Sequence, residues 1–288
     1  MTTFPSITST IRQRFSCRSY TNNPISPDIQ AELENWIQNI PPGPFGSSGR
    51  FKLVAITAAD RGALHKLGTY GFIKGAPGYI IATCRDTGRG LEDFGYQMEQ
   101  IILKATALRL GTCWLGGTFT RSSFARLIAA TPDEIIPAVC AVGEIAGHPR
   151  VFDGLVRQFA SSAERLGWER LFYDGDFGVP LTLQAAAEYA TPLEMVRLAP
   201  SASNKQPWRV VKAGTAWHFY LQRTPNYRIG WANRLLGVAD LQRTDLGIAA
   251  CHFELSAAEA KLPGRWQVLS PTLALPDKLT EYVISWGH

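Results

Sequence analysis

Residues 93–117 read DFGYQMEQIILKATALRLGTCWLGG, and residues 245–266 read DLGIAACHFELSAAEAKLPGRW. Each stretch opens on Asp-x-Gly, continues without a helix breaker, and turns into a tryptophan. Asp245 follows Asp93 by 152 residues; Leu262 follows Leu110 and Trp266 follows Trp114 by the same 152. In the first stretch Phe94, Met98, Ile101, Ile102, Ala105 and Leu108 recur at spacings of three and four. This predicts a central, moderately amphipathic helix from about Leu91 to Leu110, stopped by Gly111. The second stretch predicts a helix of like length over 241–262. A common offset at both ends of two long helices is what an internal duplication leaves behind.

The elements flanking each long helix follow one order. Ahead of the first lie a helix over Ile7–Phe15 with Ser6 as N-cap and a helix from Ser26-Pro27-Asp28 to Asn39. A Pro/Gly loop, Pro41 to Gly46, and strands over 51–57 and 79–84 come next. After it come an extended stretch over 112–119, a short helix over 122–130, a buried strand over 139–145 and helical signal over 154–172. Ahead of the second long helix lie a helix over 181–198, with Pro192 near a break, and strands over 208–211 and 217–221. Strands over 266–269 and 282–286 close the chain. Phe51-Lys52-Leu53-Val54 aligns with Trp208-Arg209-Val210-Val211. The fold class expected is α+β, with two tandem halves, 1–172 and 173–288, that build a pseudo-dimer within one chain.

Composition sets outer bounds. Of 288 residues, 45% are hydrophobic and 18% charged, a globular mixture rather than a disordered one. The net charge of +5 is spread along the chain without a basic run, which points away from nucleic acid and leaves a phosphorylated ligand open. Five cysteines, an odd number without a CxxC pair, read as reduced, packed thiols in a cytoplasmic protein. Residues 1–15 lack the apolar core of a signal peptide, and no apolar run is long enough to span a bilayer. The histidines, His65, His148, His218, His252 and His288, show no metal-ligand spacing, so no metal is expected. No nucleophile–base triad or carboxylate pair stands out, so no catalytic side chain is nominated.

Three segments carry chemistry. In Arg14-Phe15-Ser16-Cys17-Arg18, two guanidiniums and a hydroxyl fall where a helix gives way to a loop, a pattern suited to a phosphate monoester. In Pro200-Ser201-Ala202-Ser203-Asn204-Lys205-Gln206-Pro207-Trp208, a helix ends in a turn that can offer backbone N–H groups and short polar side chains to a flat heterocycle. In Gly111-Thr112-Cys113-Trp114-Leu115-Gly116-Gly117, two glycines permit close backbone approach beside a planar indole. No G-x-G-x-x-G follows a strand, which argues against a separate dinucleotide-binding domain.

Together these segments resemble the nitroreductase family of flavin enzymes, and most closely its subgroup with two fused halves and a glycine-rich Y-G-x-I-K-G segment, here Tyr70 to Gly75. The resemblance runs over nearly the whole chain, with the Pro200–Trp208 stretch as its most specific part. It implies FMN at the interface of two halves, with NAD(P)H as electron donor and a small electron-poor acceptor as substrate. It implies that Arg14 and Ser16 hold phosphate and ribityl oxygens, with Phe15 between them, and that Arg18 faces the N1/O2 edge. Pro200, Ser201, Ser203 and Asn204 would cover the ring, and Trp114, Leu115, Gly116 and Gly117 would lie near N5. A further basic residue is expected on the phosphate; Arg165 fits best, with Arg150 and Arg157 as rivals. Phe15 departs from the family, which often has a second basic residue there. The grip occurs only in the first half and the turn only in the second, so one site per chain is expected, in a monomer. The alternative is a flavin-binding relative without nitroreductase turnover, whether dehalogenating, flavin-destroying or non-catalytic.

Overall fold

The computed structural model describes residues 6–55, 71–85, 88–117, 119–146, 164–227 and 239–287. The first sheet is built from β1 (Arg50–Ala55), β2 (Gly78–Arg85), β3 (Gly111–Leu115) and β5 (Val139–Gly143), in the order β1-β2-β5-β3, with the short β4 (Glu134–Ile135) beside β2. The second holds β6 (Phe172–Asp174), β7 (Trp208–Ala213), β8 (Ala216–Gln222), β9 (Arg265–Gln267) and β10 (Thr280–Gly287), in the order β6-β7-β8-β10-β9. Apart from β6, the second sheet repeats the strand order of the first. Trp114 on β3 faces Cys140 of β5, and Trp266 on β9 faces Trp286 of β10, so the two tryptophans occupy matching registers.

The helices are α1 (Ile7–Gln13), α2 (Pro27–Gln38), α3 (Gly90–Ala107), α4 (Arg121–Ile128), α5 (Leu183–Ala186), α6 (Ala190–Leu198) and α7 (Leu241–Glu259). Ser6 caps α1 as expected, its hydroxyl accepting from the Ser9 N–H at 3.3 Å, whereas Ser26 makes no such bond to α2. The two long helices, α3 and α7, pack on each other and join the halves. Their Asp-x-Gly glycines explain how. A β-carbon on Gly95 would collide with the carbonyl oxygen of Thr244, and one on Gly247 with the carbonyl oxygen of Glu92. The two collisions are related by the same 152-residue offset, so the glycines let the helix backbones meet reciprocally.

This crossing changes the reading of α3. A moderately amphipathic helix was expected, yet it is buried from Gly90 to Ala105, because the first sheet and α2 cover one side and α7 the other. Its polar side chains are therefore internal ties. Gln97 accepts from the Gly49 N–H and donates to the Pro41 carbonyl, and Lys104 donates to Glu32 of α2.

Two other expectations change. Helix was expected to run to Phe172; residues 154–163 lie outside the described set, and beyond them only Trp168–Arg170 forms a single 3-10 turn before β6. The segment leaves helical geometry because Leu171 and Phe172 enter the core of the second half and β6 adds parallel to β7. The expected boundary after residue 172 thus falls inside a strand of the second sheet. The helix over 181–198 breaks at Ala187, whose φ is 49°, and not at Pro192. Pro192 sits in the first turn of α6, where a helix has no use for its N–H.

Candidate functional site

The turn after α6 is the most constrained feature of the second half. Ser203, Asn204 and Gln206 all have positive φ, at 50°, 54° and 48°. Three left-handed residues that are not glycine persist only where the surroundings fix them. Here the Ser201 hydroxyl accepts from the Gln206 N–H at 2.9 Å, and the Ala202 N–H donates to Asp245 of α7, also at 2.9 Å. The Gln206 side chain accepts from the Leu166 N–H, and Arg209 behind it donates to the carbonyls of Gln206 and Trp208. Asn204 donates to the Glu164 carbonyl and accepts from Arg165 at 3.0 Å. Asn204 and Gln206 are thus tied to segment 164–166. Ser203 is left exposed at the outer edge of the turn.

The Arg14–Arg18 segment starts at the C-cap of α1, a helix packed on α3, α6 and α7. From there it runs alongside β3: Ser16 bridges to Thr112, and the Cys17 N–H donates to the Thr112 carbonyl at 2.8 Å. The Lys74 N–H donates to the Arg18 carbonyl, which places the glycine-rich 71–75 segment against residues 18–20. Phe15 is 50% exposed. The Arg14 side chain, by contrast, is only 6% exposed, and its Nε and Nη1 are buried without a hydrogen-bond acceptor. Its Nε lies 3.9 Å from Glu99 Oε1, a separation of charges rather than a hydrogen bond.

Electrostatics show which cations act on one another. The Arg165 guanidinium is brought down to about 10, first by burial and then by the positive charges of Arg14 and Arg197. Arg197 is committed to Glu194, with contacts of 2.7 and 2.8 Å. Arg14 and Arg18 both act on the Cys113 thiol in the thiolate's favour, although burial outweighs them and sets it at about 11. Burial raises the Cys17 thiol as well. All five cysteines are buried, and none is in a disulfide. Arg14 of the first half thus acts electrostatically on Arg165 beside the second-half turn, and Arg14 and Arg18 both act at Cys113.

The Trp114–Gly117 segment divides. The Trp114 indole packs against the cores of both halves and donates its N–H to Glu99 Oε2 at 2.8 Å, so its polar edge is spent internally. The Leu115 side chain is buried in a cluster of the first half, which leaves only its backbone to face a ligand. A β-carbon on Gly116 would press on the Leu241 side chain at the start of α7, while one on Gly117 would meet nothing within 4 Å. The double glycine therefore lies where the halves adjoin.

Sequence reasoning missed Glu99 and His252, which meet across the helix crossing with Nε2 and Oε1 3.0 Å apart. Both are fully buried. Only a charge inside a helix buried on every side could have pointed to Glu99, and no spacing pointed to His252. His218 pairs with Ser285 on neighbouring strands, and His65, His148 and His288 lie outside the described residues, as do Arg150 and Arg157. Among the described residues no cluster could hold a metal ion, and no helix is long and apolar enough to cross a membrane.

Two like-ordered sheets, joined through two long crossed helices, define an α+β protein of nitroreductase fold. The chain belongs to the family described as "Putative TM nitroreductase", whose model matches residues 6–257. Among solved structures it is similar to a "putative nitroreductase" from Thermotoga maritima, with 20% identity and a TM-score of 0.62 over 99% of this chain and 95% of the other. A nitroreductase with bound FMN from Bacteroides fragilis aligns with 51% of this chain and 95% of its own, at 19% identity and a TM-score of 0.39. No curated protein matches the chain.

Proposed function

We propose that this chain is an FMN-dependent NAD(P)H oxidoreductase with one flavin between its halves, a single polypeptide acting as a pseudo-dimer. The observation that carries the reading is that the charge of Arg14, from the first half, acts on Arg165, which donates to Asn204 in the turn of the second. The buried guanidinium of Arg14 and the half-buried one of Arg165 repel each other, and an anion between them removes the repulsion. The unpartnered Nε and Nη1 of Arg14 fit that role, because buried donors without acceptors destabilise a fold unless a ligand or water supplies them.

In this reading Arg14, Ser16 and Arg165 hold the phosphate end, and Phe15, half-exposed, contributes surface rather than charge. Arg18 lends positive charge at the pyrimidine edge. Pro200, Ser201, Ser203 and Asn204 close over the ring as a rigid turn, and the backbone of Leu115, Gly116 and Gly117 faces its redox edge beneath the Trp114 indole. When bound, FMN takes two electrons from NAD(P)H and passes them to an electron-poor molecule, a nitroaromatic or a quinone-like compound, in a ping-pong cycle. The protein's own work is to grip the phosphate, orient the ring and tune it with fixed charge. No protein acid, base or nucleophile is assigned to the chemistry.

The test is retention of FMN by the double variant Arg14→Ala, Arg18→Ala. Removing Arg14 also removes buried donors without acceptors, so the variant is expected to fold with the wild-type melting profile and to purify colourless after reconstitution with FMN. Unchanged flavin retention would overturn the phosphate assignment. Bleaching of the wild-type flavin by NADH or NADPH without oxygen separates a reductase from a protein that only binds flavin.

A further inference from the structure

Among the described residues Glu99 is the acidic group beside Arg14, and an ionised carboxylate there would draw the guanidinium away from a ligand anion. What Glu99 faces from the other elements decides whether it does so. Trp114 of β3 donates to its Oε2 at 2.8 Å. His252 of α7 lies against its Oε1 at 3.0 Å, while the other ring nitrogen of His252, Nδ1, lies 2.9 Å from the carbonyl of Met195 in α6. A carbonyl can only accept, so Nδ1 carries a proton. The contact between Nε2 and the carboxylate needs one proton as well, on either atom. The Glu99–His252 pair is then neutral whichever atom holds it, and Arg14 faces no net negative charge.

We infer that His252 is a positioning residue for the anion grip: by neutralising Glu99 from the opposite half, it keeps the Arg14 guanidinium free to face a ligand phosphate. The inference rests on the FMN reading above and extends it. It also explains why the Arg14–Glu99 approach stops at 3.9 Å instead of closing to a paired geometry. It gives the helix crossing a functional consequence, because the grip of the first half depends on a side chain of the second.

The experiment compares FMN with riboflavin, which has the same ring and no phosphate, by fluorescence titration of the full chain. In His252→Asn, Glu99 loses its neutralising partner and Arg14 turns to it. The Kd for FMN should rise roughly tenfold or more, the value of one charge-assisted contact, while that for riboflavin stays put. The double variant Glu99→Gln, His252→Asn removes the stranded charge and should restore FMN binding to within about threefold of wild type. If His252→Asn does not fold, His252→Gln and the double variant carry the comparison, with thermal melts as the check. Equal loss of FMN and riboflavin in the single variant, or no recovery in the double, overturns the inference. Wild-type protein that binds neither flavin overturns the cofactor reading on which it stands, a result unlike either of those.

Discussion

Asp93 and Asp245 occupy matching places in the two halves and do unequal work. Asp93 accepts from the Phe45 N–H at 2.8 Å and the Ser47 N–H at 2.7 Å, one with each oxygen. Among the described residues Asp245 accepts from Ala202 alone, its second oxygen being buried without a partner. Burial raises both carboxyls, and Asp245 well above the usual carboxylate range. A raised folded-state pKa means that the folded chain holds a proton the unfolded chain has released, so stability declines as pH rises from the ordinary carboxylate range towards the folded value. Asp245→Asn keeps the acceptor for Ala202 and removes the ionisation. Its urea midpoint should therefore gain on wild type as pH rises from 5 to 8. Asp93→Asn replaces an acceptor with a donor facing an N–H and should cost about 1–2 kcal/mol at neutral pH. The reverse ranking at pH 8 would show that the two carboxyls are not distinguished by their partners. At this scale the sequence was informative only in part. The Asp-x-Gly repeat located both residues, but nothing local told that one has both oxygens bound and the other only one. The same holds for Trp114: its spacing marked it as part of the repeat, while its bond to Glu99 depends on a helix buried on every side.

At the scale of elements, the duplication was legible because its markers are steric. Gly95 and Gly247 lie where the backbones of α3 and α7 come together, and no larger residue leaves room for the opposing carbonyl. Gly95→Ala or Gly247→Ala should each cost roughly 3 kcal/mol, because a carbonyl in a packed helix cannot step aside as a side-chain tip can. Chemical denaturation measures that loss. A change under about 0.5 kcal/mol in both would mean that the crossing relaxes without strain. The order of strands and the positions of the long helices followed from periodicity and turn residues. The 172–174 strand did not, because its pairing with β7 is set by burial of Leu171 and Phe172 in a distant core. The break at Ala187 was hidden for a related reason: Pro192 is the residue whose chemistry announces a break, yet an alanine takes the left-handed conformation.

For the whole molecule, the proposal of one flavin between two like halves has to account for the second, equivalent position. The repeat offset places Arg89 where the first site has Leu241, the residue against Gly116. Arg89 lies over the Phe45 ring at 5.6 Å, pairs with Glu92 at 3.1 Å and reaches the Tyr282 carbonyl. Glu92 also pairs with Arg243 at 2.7 Å, and Arg223 joins Asp240 to Glu281 at 2.7 and 2.9 Å. The position that the repeat makes equivalent to Leu241 is therefore filled by mutually paired charges. At the proposed site, by contrast, Arg14 Nε and Nη1 have no hydrogen-bond acceptor. Isolated exposed pairs contribute little, but a network anchored on a buried Glu92 must be dismantled before any ligand enters. The loop of the first half supplies Phe45 in place of the serine–asparagine turn, and no Arg-x-Ser-x-Arg segment precedes the second-half helices. Reconstitution with FMN, followed by removal of free flavin, should therefore give close to one flavin per chain, in a particle whose light-scattering mass is that of one chain. A ratio near two would show that the charged network yields to a second flavin. A ratio near one half, in a particle of two chains, would move the site from within the chain to between chains. The variant Arg89→Leu, which restores at that position the residue of the first site, should leave the ratio at one, because the phosphate grip is still missing there; a rise towards two would mean that the network alone had kept the second flavin out.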